Sequence, residues 1–503
     1  MDTQTYEGLI RQLEEKSENN PAWFRSQVFL MTNCAYLVLL CIFALVIGLI
    51  YLAYKWQQSG NSGLGLLIGS AVAIIPAIYV SIKALFIRFD APKGFELTPK
   101  NAPELFKVLG KMRKKLKGPP FHHVILNNEF NAAIVQMPRW GLFGGYKNHL
   151  ILGLPYMLGM SPIEMISTIA HEYGHVAGNH GKLGAWVYRQ RITFGELSRH
   201  LENSKDDGII QAGIYAAIDA FTPYFNAYTF VLSRQDEYDA DKTATELVGA
   251  KANAASLIRG DLLGNWIHTD FWSTLYKQAN QHVEPIFKPY ASMQKAFASN
   301  YDVWATPAKL QVAWRVQSDL HDTHPCLSDR VLAAGEKPVL PPPVTQSAAQ
   351  ALIGNILPEA IKKFDADWWA HEKVGWQKYH HRAISSRARI QSLSQTVPET
   401  LNINDLHELA LLSVEFETTD KAKPLLALVL SKSSGNYSKA EFEYGKILLS
   451  EKNDAGLAYL EKAAIADKAL TEVCTHTAYY YLLEYKGEAA AGLWWEKVYA
   501  RID

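Results

Sequence analysis

Three histidines and a glutamate stand close together in HEYGHVAGNHG, the stretch from His171 to Gly181. On a helix, His171 and His175 project from one face a turn apart, so each can place an imidazole nitrogen about 2 Å from one tetrahedral zinc. Glu172 lies beside that pair, not between its members. A base in that position can take a proton from water at the metal without occupying the metal itself.

The third ligand has two candidate sources. In the pattern HExxHxxGxxH, Gly178 fits the turn position, but Gly181 stands where the last histidine should be and His180 arrives one residue early. The other source is a carboxylate on a later helix, and SRQDEYDADKTATELVGA offers Glu237 and Asp241 four residues apart, with Ala244 and Val248 continuing the face. This spacing assigns Glu237 to the zinc. Asp241 then accepts a hydrogen bond from the non-ligating nitrogen of a zinc histidine, which fixes its tautomer. Asp236 and Asp239 read as solvated. His180 is then not needed on the metal, and Gly178 reads as a helix terminator.

The elements that must position these residues are partly visible. Ser161, Pro162 and Glu164 form a helix start, with Ser161 as N-cap, proline at the first helical position and Glu164 as the capping-box partner. A helix follows through MISTIAHEYGHVA. FNAAIV (Phe130 to Val135) and NHLILGL (Asn148 to Leu154) read as strands, joined by the aromatic, glycine-rich PRWGLFGGYKN.

Two uncharged runs precede this region, Phe29 to Tyr54 and Gly63 to Ile82, each long enough to cross a hydrocarbon core of about 30 Å as a helix. They predict a transmembrane hairpin over residues 29–87. Basic residues flank it on both sides, so residues 1–28 and everything after the hairpin are expected on the cytoplasmic side. Gly208 to Leu232 also has the length and hydropathy of a span. However, His175 and Glu237 must meet at one zinc, and the intervening LGAWVYRQRITFGELSRHL is too charged to cross. Residues 208–232 are therefore expected to pack inside the catalytic domain or along the membrane surface.

HEYGH, SRQDEYDAD and the later THPCLSDR, in that order after two apolar runs, resemble the HtpX-like membrane metalloproteases and their CAAX-prenyl-protease relatives, peptidase family forty-eight. The resemblance covers roughly residues 90–335. It implies an α+β zincin domain of the gluzincin type, mostly helical with a small sheet, and one Zn2+ per chain. It also implies His171, His175 and Glu237 as ligands, Glu172 as base and Asp241 as the ordering carboxylate. In THPCLSDR it places His324 near the substrate carbonyl as an oxyanion-stabilising donor and Arg330 near the acidic ligand helix. Substrate is expected to add as a strand at a sheet edge, with Asn131 in contact with it. The implied setting is a bacterial inner membrane.

The resulting organisation is a peptidase domain over residues 88–335, a proline-rich linker over 336–349 and a helical, tryptophan-rich region over 350–395. Residues 396–503 contain three related strings, TTDKAKPLLALVL, EKNDAGLAYLEKAA and YKGEAAAGLWWEKV, spaced near the tetratricopeptide period of about 34 residues. Such α-helical repeats stack and offer a concave surface to a protein partner. The 50 basic and 50 acidic residues balance, so no global field points to nucleic acid. The four cysteines, scattered along the chain, form no disulfide framework. The expected function is a membrane-anchored zinc endopeptidase acting on membrane or misfolded proteins. The alternative is a membrane-tethered tetratricopeptide scaffold with a vestigial zinc site.

Overall fold

The computed structural model describes residues 3–59, 92–138, 146–177, 187, 209–316, 324–432 and 437–501. It divides into two compact units, residues 1–260 with 317–358, and residues 261–316 with 359–503.

The first unit is mostly helical around one small sheet. Its N-terminal helices are α1 (Thr3–Asn19) and α2 (Pro21–Gln58). The sheet contains β1 (Phe95–Leu97), β2 (His123–Asn127), β3 (Ala132–Pro138) and β4 (Tyr146–Gly153), in the order β1-β2-β4-β3. β4 runs parallel to β2 and antiparallel to β3, with Ala132 opposite Leu152 and Val135 opposite His149. Among the described residues β3 is thus an edge strand. Leu97, Val124, Leu126, Leu150 and Leu152, which share one face by the two-residue period of a strand, are buried to 2% exposure or less and turn that face to the core, while Ile125 and His149 on the other face are covered as well. The helices that complete this unit are α3 (Pro103–Leu116), α4 (Leu154–Gly159), α5 (Pro162–Ala177), α6 (Ile209–Val248), α7 (Ala250–Trp266, its last residues in the second unit), α8 (Leu327–Ala333) and α9 (Ala348–Ile353).

Strands and helix fall close to where the sequence puts them. The α5 start is a capping box: the Ser161 N–H donates to Glu164 Oε2 at 2.8 Å, and the Glu164 N–H reaches Ser161 Oγ at 3.5 Å. The helix is described through Ala177. Gly178 and His180 lie outside the described residues, as does the charged stretch 183–201 except Val187.

The expected transmembrane hairpin and integral-membrane placement do not stand. Among the described residues, no helix is long and apolar enough to cross a membrane. The first predicted span belongs to α2, whose N-terminal turns are committed to protein packing. Phe24 and Val28 are buried with Ile10 and Leu13 of α1 and with Ala227, Phe230, Val231 and Leu232 of α6. Thr32, inside the predicted span, is fully buried, and its hydroxyl donates to the Val28 carbonyl. The second predicted span, Gly63 to Ile82, lies outside the described residues. The polar segment 1–28 is accordingly part of the folded unit. Its Tyr6, Leu9, Ile10 and Leu13 recur at helical spacing and face α6. Residues 209–232 are the first half of α6 itself, and from Phe225 onward they enter this core.

The second unit is helical. The Trp376 indole N–H donates to the His282 carbonyl, and the Asp365 carboxylate accepts the N–H groups of Tyr290 and Ala291, capping the helix Pro289–Ser299. Downstream come helices Ile403–Phe416, Thr419–Lys432, Ser438–Ser450, Gly456–Ala466, Lys468–Tyr485 and Glu488–Tyr499, each packed on the next. Buried Leu406, Ala410, Leu426 and Val429 hold the first pair, and Leu460, Ala464, Ala478 and Leu482 hold the later ones.

Candidate metal centre and active-site cleft

Two helices supply the side chains of the candidate metal site, α5 with His171 and His175 and α6 with Glu237, and Asp241, also on α6, stands behind His171. They approach closely at Gly174, where a Cβ would stand 3.1 Å from the Ala240 Cα and 3.2 Å from the Thr243 Cβ. The glycine inside HEYGH therefore has a packing reason: a larger residue would push the carboxylate helix away from the imidazoles.

His171, His175 and Glu237 come together with their ligand atoms within 4.8 Å of one another. The two Nε2 atoms are 3.3 Å apart, and each is 3.4 Å from a Glu237 oxygen. Two atoms each about 2 Å from a tetrahedral zinc stand about 3.3 Å apart, so the two imidazoles have the spacing of the tetrahedron's edge, and the Glu237 carboxylate presents Oε2 to His171 and Oε1 to His175. Glu237 Oε2 is buried and has no hydrogen bond of good geometry, although His324 Nδ1 lies 3.0 Å away. An anionic oxygen left this way is costly unless a cation completes it. The donor set, two imidazoles and a carboxylate, is one that zinc takes, so the residues present fit the ion.

Burial alone would lower the His171 pKa, but the adjacent carboxylates of Asp241 and Glu237 outweigh it and lift the group to about 9. Burial would raise Glu237, yet the imidazoles of His171, His175 and His324 hold it far below the usual carboxylate range. A proton on the histidines thus does in part what a metal would do. The His171 Nδ1–H donates to Asp241 Oδ1 at 2.9 Å, which leaves Nε2 for the cluster. Arg330, on α8, clamps Asp241 from the far side through Nε to Oδ2 at 2.8 Å and Nη2 to Oδ1 at 2.9 Å. Burial opposes the Asp241 charge, and Arg330 and His171 together keep its pKa lowered.

The other expected site residues fall nearby. Glu172 lines a cleft of about 170 Å³ next to His171, and Asn131, Asp241, His324 and Arg330 border the same cleft. Asn131 precedes β3, and its Oδ1 accepts the N–H of Ala132 at 2.8 Å. Gly153 makes that strand start possible, because a Cβ there would meet the Glu129 carbonyl oxygen at 1.8 Å and that of Asn131 at 2.6 Å. His324 stands against Glu237, and that carboxylate raises its pKa.

Several functional neighbours escape the sequence reading. Tyr156, Thr168, Asn253, Ser256 and Leu257 also line the cleft. Thr168 carried a signal: it lies three residues before His171, on the same helix face. Asp236 and Asp239, read as solvated, both pair with Arg25 of α2. Glu164 is more than a cap, since its carboxylate is buried and accepts from Arg259 Nε at 2.9 Å.

No curated protein and no solved structure matches the chain. Residues 148–337, from β4 through the metal-binding cluster to just past α8, match the model of Peptidase family M48, a family of zinc-dependent peptidases, which supports a hydrolase acting on peptide bonds.

Proposed function

We propose that the chain is a zinc endopeptidase that cuts extended segments of unfolded or misfolded proteins. The observation that carries this reading is the cluster of His171, His175 and Glu237, the two Nε2 atoms 3.3 Å apart and each 3.4 Å from a different oxygen of the carboxylate, beside a cleft lined by Glu172. In this reading those three residues hold one zinc. When bound, the ion supplies Lewis acidity, making water a better nucleophile and a carbonyl a better electrophile. Glu172 takes the proton of the attacking water and returns it to the leaving amine. Asp241 fixes the His171 tautomer, and Arg330 fixes Asp241. His324 donates to the carbonyl oxygen as it gains charge.

The edge strand β3 favours substrates without structure of their own, because only an extended chain adds to it, with Asn131 at the point of entry. The helix pairs of residues 403–499 serve, in this reading, as degenerate tetratricopeptide-like repeats that present a protein partner or substrate. In this reading the motif order is taken to resemble that of the HtpX-like branch.

Glu172→Gln tests the assignment. The variant should keep its zinc and its circular dichroism while losing about 10²- to 10⁴-fold in cleavage of an unfolded reporter protein. Undiminished cleavage would remove Glu172 from the role of base.

A further inference from the structure

Four carboxylates crowd into one short stretch of α6: Asp236, Glu237, Asp239 and Asp241. At about 100° per residue they divide between two faces, Glu237 with Asp241 and Asp236 with Asp239, whose centres lie roughly 150° apart around the helix axis. The first face meets the imidazoles of α5. The second is turned to the N-terminal helices, where it finds Arg25 of α2. Arg25 Nη2 reaches Asp236 Oδ1 at 3.3 Å and also donates to Asp239 Oδ2, so a single nitrogen ties the two carboxylates together. The Arg25 and Asp236 side chains are each only 15% exposed. α1 holds the same stretch twice more: Arg234 Nη1 donates to Glu14 Oε1 at 2.7 Å, and Ser17 Oγ donates to Gln235 Oε1 at 3.3 Å.

These contacts bear on Glu237, whose two oxygens each face a different imidazole. Helical side chains reach about 5–6 Å from the axis, so rolling the helix by about 10° carries such an oxygen by about 1 Å. A metal site holds its ligand distances to within about 0.2 Å. Arg330 grips Asp241, on the same face as Glu237. A grip on one side of a helix leaves it a pivot, and a second grip on the far side removes the roll about it. Arg25 supplies that second grip.

We propose that Arg25 is a positioning residue of the metal centre: by fixing Asp236 and Asp239 it sets the roll of α6 and hence the place of Glu237. This role rests on the zinc reading given above. Its test turns on the sign of the effect. Arg25→Gln takes a positive charge away from the surroundings of a bound cation, so electrostatics alone would tighten zinc binding. Lost positioning loosens it. Competition of the full-length protein with a chromophoric chelator should show zinc affinity falling roughly 10- to 100-fold. Arg25→Lys keeps a donor able to bridge both carboxylates and should bind zinc more tightly than Arg25→Gln. Where Arg25→Gln does not fold, Arg25→Met, which retains an apolar stem, carries the same expectation. Leu13→Ala removes packing between α1 and α6 but no charge. Measured where circular dichroism shows the protein folded, it should bind zinc as the unaltered protein does. Unchanged or tighter binding on loss of the Arg25 charge, or an equal fall in Leu13→Ala, overturns the positioning role and leaves the zinc reading intact. An unaltered protein that binds no zinc removes that reading and this role together.

Discussion

At His171 the two ring nitrogens have separate partners, Nδ1 donating to Asp241 and Nε2 facing Glu237 and His175. The raised pKa, about 9, means that the zinc-free protein carries a proton that the ion must displace. Zinc affinity should therefore climb about tenfold per pH unit below pH 9 and level off above it, as competition with a chromophoric chelator can measure. The sign is opposite for the stability of the zinc-free protein. A group whose pKa rises on folding stabilises fully below its unfolded value near 6.5, and that contribution is lost as pH climbs through about 9. At this scale the sequence was most legible: helical spacing alone pairs His171 with His175 and Glu237 with Asp241. What it hid was the hydroxyl chain of Tyr156, Thr168 and Ser256, because serines and threonines carry no spacing signal until a fold brings them together.

Among the elements, α5 is fixed at its start by the Ser161–Glu164 cap and held against α6 by the close approach at Gly174. The cap was readable because it is local. The second partner of Glu164, Arg259, is far along the chain, and no local pattern announces it. Both side chains are almost fully buried, at 3% and 1% exposure, so each depends on the other. Arg259→Met should cost about 3–5 kcal/mol in urea unfolding, chiefly because it strands the Glu164 carboxylate. α2 was misread for a different reason. Phe24 and Val28, just before the apolar run, pack against α1 and α6, and only the neighbouring stripe of Tyr6, Leu9, Ile10 and Leu13 hints that partner helices are present.

Over the whole molecule, the N-terminal helices and the metal-binding helix share one core. Leu13 is fully buried against α6, ahead of the turn that bears Glu237. Leu13→Ala should lower stability by about 2–5 kcal/mol, and saturating zinc should recover part of the loss by mass action, both read from melting curves with and without a chelator. The trailing helix pairs were visible in the repeat period and the two helices of the candidate metal site in the spacing of HEYGH and EYDAD, whereas the small sheet among helices came with the family resemblance. The participation of residues 3–28 in the first unit was not.

The proline-rich stretch after α8 loops back onto the first unit. The Pro342 carbonyl accepts from the Arg259 guanidinium, and the Ala348 N–H donates to the Met160 carbonyl at 2.8 Å. Ala348, Ala349 and Ile353 are buried there as well. An apparent spacer thus acts as a fastening, which sets a boundary for dissecting the gene. A protease fragment ending at residue 335 would expose a buried arginine and an apolar seam, whereas one ending just beyond Ile353 would carry its own closure.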